Sequence, residues 1–334
     1  MVGQVGKELQ GWKLGRLTSC GSLGSRKEKG RLVVESTRMK RTLSTADGSK
    51  IAIVELEGSR PGPTLAVVSG VHGDEVACLG GLWDWLYGAD LISGRVLACP
   101  VAHPAALYAG TRLGREGADL NRVFPGDPSG SPTQRLAASL FAELLDGVDA
   151  LLTMHSWSRT GATVPYVEYP ATGPASVVGR SAKLARSLGV AYVEAYAWEP
   201  GLLPAAAVAR GVPAVELEIG GLGTTTAEGE AIAAAAIDRA AHWLALVEGE
   251  GSASVTPAVE VRRHWLRAPQ DGIVRQRRFL GAEVSAGEAV AEIRAQTGRV
   301  VETLAAPVDG VVAIHLTYGY ARTGSAVAVV FEPT

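Results

Sequence analysis

The fold is decided by the stretch TLAVVSGVHGDE, which runs from Thr64 to Glu75. Its first part, Thr64–Val71, is mostly apolar, and a short apolar run bounded by turn-forming residues predicts a strand buried in a sheet. The residues that follow predict a helix over Val76–Tyr87. The polar turn HGDE therefore lies where a strand ends and a helix is about to begin.

The alternation of strand and helix continues along the chain. Apolar runs predict further strands at Arg95–Val101, Ala150–Met154 and Pro213–Ile219. Amphipathic segments predict helices near Thr133–Leu145, Ser176–Leu188 and Ala227–Val247. This pattern predicts an α/β layer structure, in which functional sites gather at the carboxyl ends of the strands.

The composition favours a protein that acts on small polar molecules. The chain has 334 residues, of which 47% are hydrophobic, so it can form one large domain and a small one. Its formal net charge is −2, and no cluster of basic and aromatic residues suggests a nucleic-acid partner. No apolar stretch approaches the ~20 residues that span a bilayer, so no membrane association is expected.

The cysteines favour a reducing compartment. Cys20, Cys78 and Cys99 have no CxxC spacing, which indicates neither a disulfide framework nor a cysteine metal site. A cytoplasmic location is therefore expected. The sequence LTSC that ends at Cys20 resembles a bacterial lipoprotein cleavage site, but Lys13 and Arg16 interrupt the apolar run that export requires.

Changes in composition divide the chain into three parts. Residues 1–40 are rich in Gly, Ser, Lys and Arg without periodicity, which predicts a flexible N-terminal segment. The α/β pattern occupies residues 41–250 and closes with the linker EGEGSASVTP, which begins at Glu248. Residues 255–334 hold short β-rich runs separated by Gly and Pro, which predict a small C-terminal all-β domain, a sandwich or barrel.

Two segments of the C-terminal part echo each other, APQDGIV at Ala268–Val274 and APVDGVV at Ala306–Val312. The repeat predicts a doubled β-hairpin unit packed as a small sandwich. It resembles biotinyl and lipoyl carrier domains, but the lysine that such carriers modify is absent. A structural or gating role is therefore favoured over a carrier function.

Three residues have the type and position of metal ligands. In HGDE, His72 and Glu75 stand three residues apart in a Gly-flanked turn and can reach one cation, although a surface His beside a solvated Glu is the alternative. His155 ends the apolar run Ala150–Met154, at the end of another strand, and its alternative is a core or capping histidine. Two His and one Glu leave a fourth tetrahedral position for water, as in catalytic zinc sites.

A polar stretch between these candidate ligands, ADLNRVFPG at Ala118–Gly126, contains a candidate anion site. Asn121 and Arg122 can present several hydrogen-bond donors to a substrate carboxylate, in a bidentate geometry that lysine cannot reproduce. The alternative is an ordinary surface arginine beside a capping asparagine.

Four motifs follow one another in a characteristic order: HGDE from His72, DLNRVFPG from Asp119, MHS from Met154 and ELEIGG from Glu216. Together, over about residues 50–222, they resemble the succinylglutamate desuccinylase and aspartoacylase family of the zinc carboxypeptidase superfamily. The resemblance implies a zinc-carboxypeptidase-like mixed sheet flanked by helices, and one Zn²⁺ per chain. The β-rich tail is also typical of that family.

The resemblance also implies roles for individual residues. It makes His72, Glu75 and His155 the zinc ligands. It assigns Asn121 and Arg122 to the free carboxylate of an amino-acid-like substrate.

A catalytic base and an arginine that polarises the scissile carbonyl belong to the same implied mechanism. The family motif has Glu, one apolar residue and Gly, which favours Glu218 as the base, while Glu216 on the same strand face is the rival. Arg112 ends a segment similar to the family's Gly-Thr-Arg turn and is the expected arginine, with Arg115 as the alternative.

Two positions depart from the family pattern. Family members usually carry Asp two residues before the third ligand, where this chain has Thr153. They have Asn in place of His103, which is expected to be a packed loop histidine rather than a substrate contact and is left out of the catalytic set.

The sequence therefore predicts a zinc-dependent amidohydrolase that removes the acyl group of a small, carboxylate-bearing N-acyl amino acid or related compound. A zinc carboxypeptidase acting on a short peptide is the alternative, because the segment from His155 to Ser158 also resembles the ligand region of true carboxypeptidases. A non-catalytic binding protein is the third hypothesis, and the intact set of candidate residues argues against it. A homo-oligomer is compatible with the sequence, which does not indicate the oligomeric state.

Overall fold

The structure is a computed structural model that describes residues 25–28, 31–34, 37–45, 48–197, 199–249 and 257–334. The chain divides into two compact units, Met1–Glu35 and Ser36–Thr334. In the first unit, strands β1 (Ser25–Glu28) and β2 (Arg31–Val34) form an antiparallel hairpin. Most of the segment predicted to be flexible, including the sequence that ends at Cys20, lies outside the described residues.

The second unit contains a twelve-stranded sheet and a four-stranded sheet. The larger sheet consists, in chain order, of β3 (Thr37–Ser44), β4 (Lys50–Glu57), β5 (Thr64–Ser69), β6 (Arg95–Cys99), β7 (Ala150–His155), β8 (Gly161–Pro170), β9 (Tyr192–Tyr196), β10 (Ala214–Gly221), β11 (Val259–Arg267), β13 (Glu283–Val284), β16 (Gly310–Leu316) and β18 (Ala326–Pro333). The smaller sheet consists of β12 (Gly272–Gln276), β14 (Ala289–Arg294), β15 (Val300–Ala305) and β17 (Tyr320–Ala321).

The larger sheet is mixed, with the strand order β13-β16-β18-β11-β9-β8-β10-β7-β5-β6-β4-β3. Its centre is parallel, because β5 runs parallel to both β6 and β7, and β10 runs parallel to β7. Strand β8 is antiparallel to β10, whereas β9 and β11 continue as a parallel pair. Parallel neighbours end at the same edge of a sheet. The C-terminal ends of β5, β7 and β10 therefore lie next to one another at this edge.

Helices cover the sheet on both faces, as the α/β pattern predicts. The helices are α1 (Leu79–Gly88), α2 (Pro104–Ala109), α3 (Pro132–Leu145), α4 (Ala175–Ser187), α5 (Leu203–Ala209) and α6 (Ala227–Trp243), with a 3₁₀ turn at Leu120–Arg122. On one face, helices α1, α4 and α6 pack in a core that includes Val67 of β5. On the other face, α3 and α5 pack in a second core, which includes Ala66 and Val68. These residues flank Val67 in β5, and successive residues of a strand point to opposite faces of the sheet.

The predicted elements recur with shifted ends. Helix α1 begins at Leu79 rather than Val76, because residues 76–78 continue the loop that carries HGDE. Strand β8 was not predicted: Pro165 and Pro170 break its pattern, and proline in a strand reads as a stop signal. Strand β3 begins at Thr37, inside the segment predicted as flexible.

The C-terminal strands are divided between the two sheets. Strand β11 pairs with β9, and β16 pairs with both β18 and β8, so this part of the chain extends the larger sheet. The two echoing segments separate accordingly, since Gly272 begins β12 in the smaller sheet and Gly310 begins β16 in the larger one. The residues predicted to form a separate domain thus complete a sheet that the preceding residues begin.

None of the helices in the described part of the chain is both long and apolar enough to cross a bilayer.

Candidate active site

His72 and Glu75 lie in the loop that follows β5, and both are buried, with 2% and 4% of their surfaces exposed. The loop turns tightly at glycines. Gly70 has φ of +61°, a conformation that side-chain-bearing residues rarely adopt. A Cβ atom on Gly73 would lie 1.9 Å from the carbonyl carbon of Ala106, so only glycine fits there. The glycines that flank the HxxE pair are therefore required by the path of the loop.

His155 is the last residue of β7 and lies at the same sheet edge, because β7 runs parallel to β5 beside it. It is 2% exposed, and its ring centroid lies 5.2 Å from that of His72. Glu75 and His155, which are 80 positions apart in the chain, are thus brought together by a single pair of neighbouring strands.

One ligand atom from each of His72, Glu75 and His155 lies within 4.8 Å of the others, so these residues could hold a metal ion. Nδ1 of His72 is 2.8 Å from Oε1 of Glu75, and Nδ1 of His155 is 2.9 Å from Oε2. Among the described residues, the buried Nδ1 of His72 has no hydrogen-bond partner. A nitrogen lone pair that lies against a carboxylate without a hydrogen bond fits a site at which both groups bind the same cation.

Asp119 contacts the second imidazole nitrogen of His72, Nε2. Its Oδ1 accepts a hydrogen bond of 3.0 Å from Nε2 of His72, and its Oδ2 lies 3.1 Å from Nη2 of Arg112. Nη1 of Arg112 donates a hydrogen bond of 2.6 Å to Oε1 of Glu75. A carboxylate on the second imidazole nitrogen fixes the ring orientation of a metal-binding histidine and raises its basicity.

The charges at this site favour a cation. Burial by itself raises the pKa of Glu75, but the charge of His72 and a hydrogen bond with His155 outweigh it and hold the pKa well below its usual range. Burial by itself lowers the pKa of His155, whereas the charge of Glu216 and the contact with Glu75 raise it to about 10. The carboxylates of this site therefore stabilise positive charge at His155.

The two rival bases on β10 have different surroundings. Oε2 of Glu216 lies 3.3 Å from Nε2 of His155 and 3.4 Å from Nδ2 of Asn121. Oε2 of Glu218 is buried and has no hydrogen-bond partner among the described residues. Burial and the neighbouring charge of Glu75 raise the pKa of Glu218 well above its usual range.

Asn121 and Arg122 belong to the 3₁₀ turn and differ in exposure. Asn121 is 2% exposed, and its side-chain oxygen accepts a hydrogen bond of 2.9 Å from the backbone N–H of Leu203. Arg122 has 47% of its side chain exposed, and its Nη1 donates to the carbonyl oxygen of Asn121. Of these two side chains, only that of Arg122 is exposed enough to contact a ligand in the cavity.

These side chains line one cavity of about 780 Å³. Further residues that were not singled out from the sequence also line it. Arg263, from β11, forms ion pairs with Glu168 of β8 and Glu194 of β9. Glu168 and Glu194 are register partners, and Glu216 is the partner of Glu168 on the next strand, so these glutamates cross the sheet in a row.

Asp119 was assigned no role from the sequence, although the polar stretch that contains it was named.

The residues Arg112, Arg115 and His103 were also considered in the sequence. Arg112 lies in the cavity wall, whereas Arg115 is exposed. His103 is 5% exposed and lies against Gly114, where an added Cβ would come within 2.5 Å of its Nε2. Its packing matches that expected of a loop histidine.

Comparison with known proteins identifies the family. A model of the succinylglutamate desuccinylase/aspartoacylase catalytic domain matches residues 61–244. The N-alpha-acetyl-L-2,4-diaminobutyric acid deacetylase of Halomonas elongata is 34% identical over 183 residues, which cover 53% of this chain and 53% of that protein. The match thus spans about half the length of this curated relative. The chain belongs to the succinylglutamate desuccinylase/aspartoacylase family.

Solved structures share the fold over most of the chain. The product-bound ectoine utilization protein EutE (DoeB) of Ruegeria pomeroyi superimposes with a TM-score of 0.80 at 22% identity, covering 92% of this chain and 98% of that one. A succinylglutamate desuccinylase/aspartoacylase of Rhodobacter sphaeroides gives a TM-score of 0.78 at 24% identity, with coverage of 90% and 96%. The mixed α/β fold described above is thus that of desuccinylase/aspartoacylase structures.

Proposed function

We propose that this chain is a zinc-dependent amidohydrolase that deacylates a small N-acyl amino acid. The observation that carries the proposal is the convergence of His72, Glu75 and His155 beside the unpartnered carboxylate of Glu218. Family membership and the deacetylase relative support it.

The donor set fits zinc. Two imidazoles and one carboxylate are a common set of protein ligands at catalytic zinc sites, and they leave a position for water. We propose His72, Glu75 and His155 as these ligands, one Zn²⁺ per chain. Bound zinc would lower the pKa of a water molecule and polarise the scissile carbonyl.

Glu218 is the proposed base. It takes the proton from the attacking water and delivers it to the leaving nitrogen, so the carboxylate must both accept and release a proton within one turnover. Burial and the neighbouring charge of Glu75 raise its pKa above the usual range, and a cation held by the proposed ligands would offset this rise and favour the carboxylate that accepts the proton.

The two arginines of the cavity have separate proposed roles. Arg112 is held by Glu75 and Asp119, so its charge is fixed beside the candidate metal ligands, where negative charge would develop on the carbonyl oxygen. Arg122, which follows Asn121 in the same 3₁₀ turn, binds the α-carboxylate of the substrate. The planar guanidinium matches the two oxygens of a carboxylate.

The glutamates beside Arg263 favour a substrate with a positive side chain. Glu168 and Glu194 share the single guanidinium of Arg263, so the carboxyl groups outnumber the cationic side chains in this group. Because Arg263 already contacts both glutamates, a second carboxylate, such as that of a succinyl group, would find no free guanidinium there. The relative from Halomonas elongata is named for an acetylated amino acid with a free amine, and we propose N-acetyl derivatives of basic amino acids for this chain as well.

A carboxypeptidase acting on short peptides would use the same zinc, base and carboxylate site. A screen of the zinc-loaded protein decides between them: N-acetyl, N-succinyl and N-formyl derivatives of basic, neutral and acidic amino acids, alongside dipeptides. We expect the fastest release of free amine from N-acetyl basic amino acids, and release about 10²-fold slower or more from the matched Glu218→Gln protein. Hydrolysis of dipeptides alone would establish the peptidase, and the absence of any hydrolysis would refute the amidohydrolase.

A further inference from the structure

Glu216 is a buried carboxylate for which the proposed reaction has no use. It is 5% exposed and lies on β10 between Thr153 of β7 and Glu168 of β8. An ionised group at such a depth is costly unless it is paired or hydrogen-bonded, so its partners indicate its role.

The partners of Glu216 converge on a single oxygen. Its Oε2 lies 3.3 Å from Nε2 of His155. The same oxygen lies 3.3 Å from Oγ1 of Thr153 and 3.4 Å from Nδ2 of Asn121, both of which can donate to it. Oγ1 of Thr153 is also 3.3 Å from the carbonyl oxygen of Val215. The amide of Asn121 thus holds the carboxylate against the imidazole, and the single hydroxyl proton of Thr153 is shared between this carboxylate and the carbonyl oxygen of Val215.

His155 is thereby placed between two carboxylates, as His72 is. Each ring has its Nδ1 within 2.9 Å of an oxygen of Glu75. Each has its Nε2 facing another carboxylate, Asp119 for His72 and Glu216 for His155. The contacts differ in kind, because Nε2 of His72 is hydrogen-bonded to Asp119, whereas Nε2 of His155 forms only an ion pair with Glu216 and has no hydrogen-bond partner among the described residues. Both histidines nevertheless lie between two carboxylates that come from unrelated parts of the chain.

We propose that Glu216 is a positioning residue for His155, supplying from the neighbouring strand the carboxylate that fixes the imidazole with Nδ1 directed at the metal position. The inference rests on the proposed function, because it requires that His155 bind a metal. It separates the two glutamates of β10: Glu218 carries the proton, and Glu216 orients a ligand. The oxygen of Glu216 that faces His155 is already engaged by Asn121 and Thr153.

Thr153 gives the proposal a test by rescue. It stands two residues before His155 on β7 and therefore shares its face of the sheet. Since its Oγ1 is 3.3 Å from the carboxylate of Glu216, an aspartate at this position would place a carboxylate close to the same point. A charge lost at 216 can then be restored from 153.

Zinc affinity is the readout, measured by competition with a chelator on folded protein and independent of any substrate. Glu216→Gln should weaken zinc binding by about 10- to 100-fold, the usual effect of removing such a partner. The double variant Glu216→Gln/Thr153→Asp should recover most of that loss. Glu168→Gln, its register partner on β8, and Glu218→Gln should both bind zinc nearly as tightly as the wild type.

Zinc affinity of Glu216→Gln equal to that of the wild type would overturn the proposal, as would a folded double variant no better than the single one. If Glu216→Gln does not fold, Glu216→Asp takes its place, since the shorter side chain draws the charge away from Nε2, and the same loss and rescue are expected. Wild-type protein that binds no zinc would instead refute the proposed function.

Discussion

Nδ1 of His72 lies 2.8 Å from Oε1 of Glu75, yet no hydrogen bond joins this ion pair. Two polar atoms buried so close together without a hydrogen bond indicate that both bind a third group, such as a cation. Purified protein should therefore contain about one zinc per chain, and His72→Ala or His155→Ala should abolish its tight retention.

Metal analysis after dialysis measures this directly. His242→Ala is the matched control, because His242 lies on α6 and pairs with Asp238 there. Reconstituted wild-type protein that retains no zinc would contradict the assignment.

The carboxylate site makes a prediction about substrate charge. Arg122→Lys should raise KM several-fold or more for substrates with a free α-carboxylate, because a point charge replaces a planar pair of donors. Substrates with an amidated carboxyl should change little. Arg115→Lys, on the exposed loop nearby, should leave both KM values near wild type. Equal losses for both substrate types would remove Arg122 from the site.

The base makes a prediction about kcat. Glu218→Gln keeps the shape of the side chain while removing the proton acceptor, so kcat should fall by about 10²-fold or more. Zinc content should remain close to wild type, since Glu218 is not among the proposed ligands. Steady-state kinetics on the best substrate of the screen measure the loss. A fully active Glu218→Gln protein would require another base.

Glu168 makes a prediction about stability and pH. Burial raises the pKa of Glu168, Arg263 opposes the rise, and the charge of Glu216 adds to it, giving about 7 against an ordinary 4.5. The folded state therefore holds this proton more tightly than the unfolded chain does. The contribution to stability is complete below pH 4.5 and is lost as pH rises through about 7.

Over that interval the zinc-free wild type should lose up to about 3 kcal/mol through this group, and Glu168→Gln should not. Denaturant unfolding at about pH 5 and at about pH 8 measures the difference. Glu283→Gln, at an exposed position of β13, should follow the wild type. Parallel pH dependence of Glu168→Gln and wild type would show that Glu168 titrates normally.

The sequence by itself determined the central strands and the residues at their ends. The apolar run at Thr64–Val71 and the run that His155 closes are long enough to require burial, and polar residues directly after such runs must lie at the sheet edge. The HxxE spacing is local, so the turn alone brings His72 and Glu75 together. Family motifs supplied the remaining candidates, Asn121, Arg122 and Glu218 among them.

Only the tertiary structure decided what faces those residues across the sheet. The sequence marked Thr153 as a departure from the family pattern, but the carboxylate beside it comes from Glu216 on a strand paired with β7. Arg263 reaches Glu168 and Glu194 because β11 joins the sheet beside β9. Such contacts depend on strand order and register between distant segments, which hydrophobic periodicity does not encode, because the same pattern is compatible with many pairings.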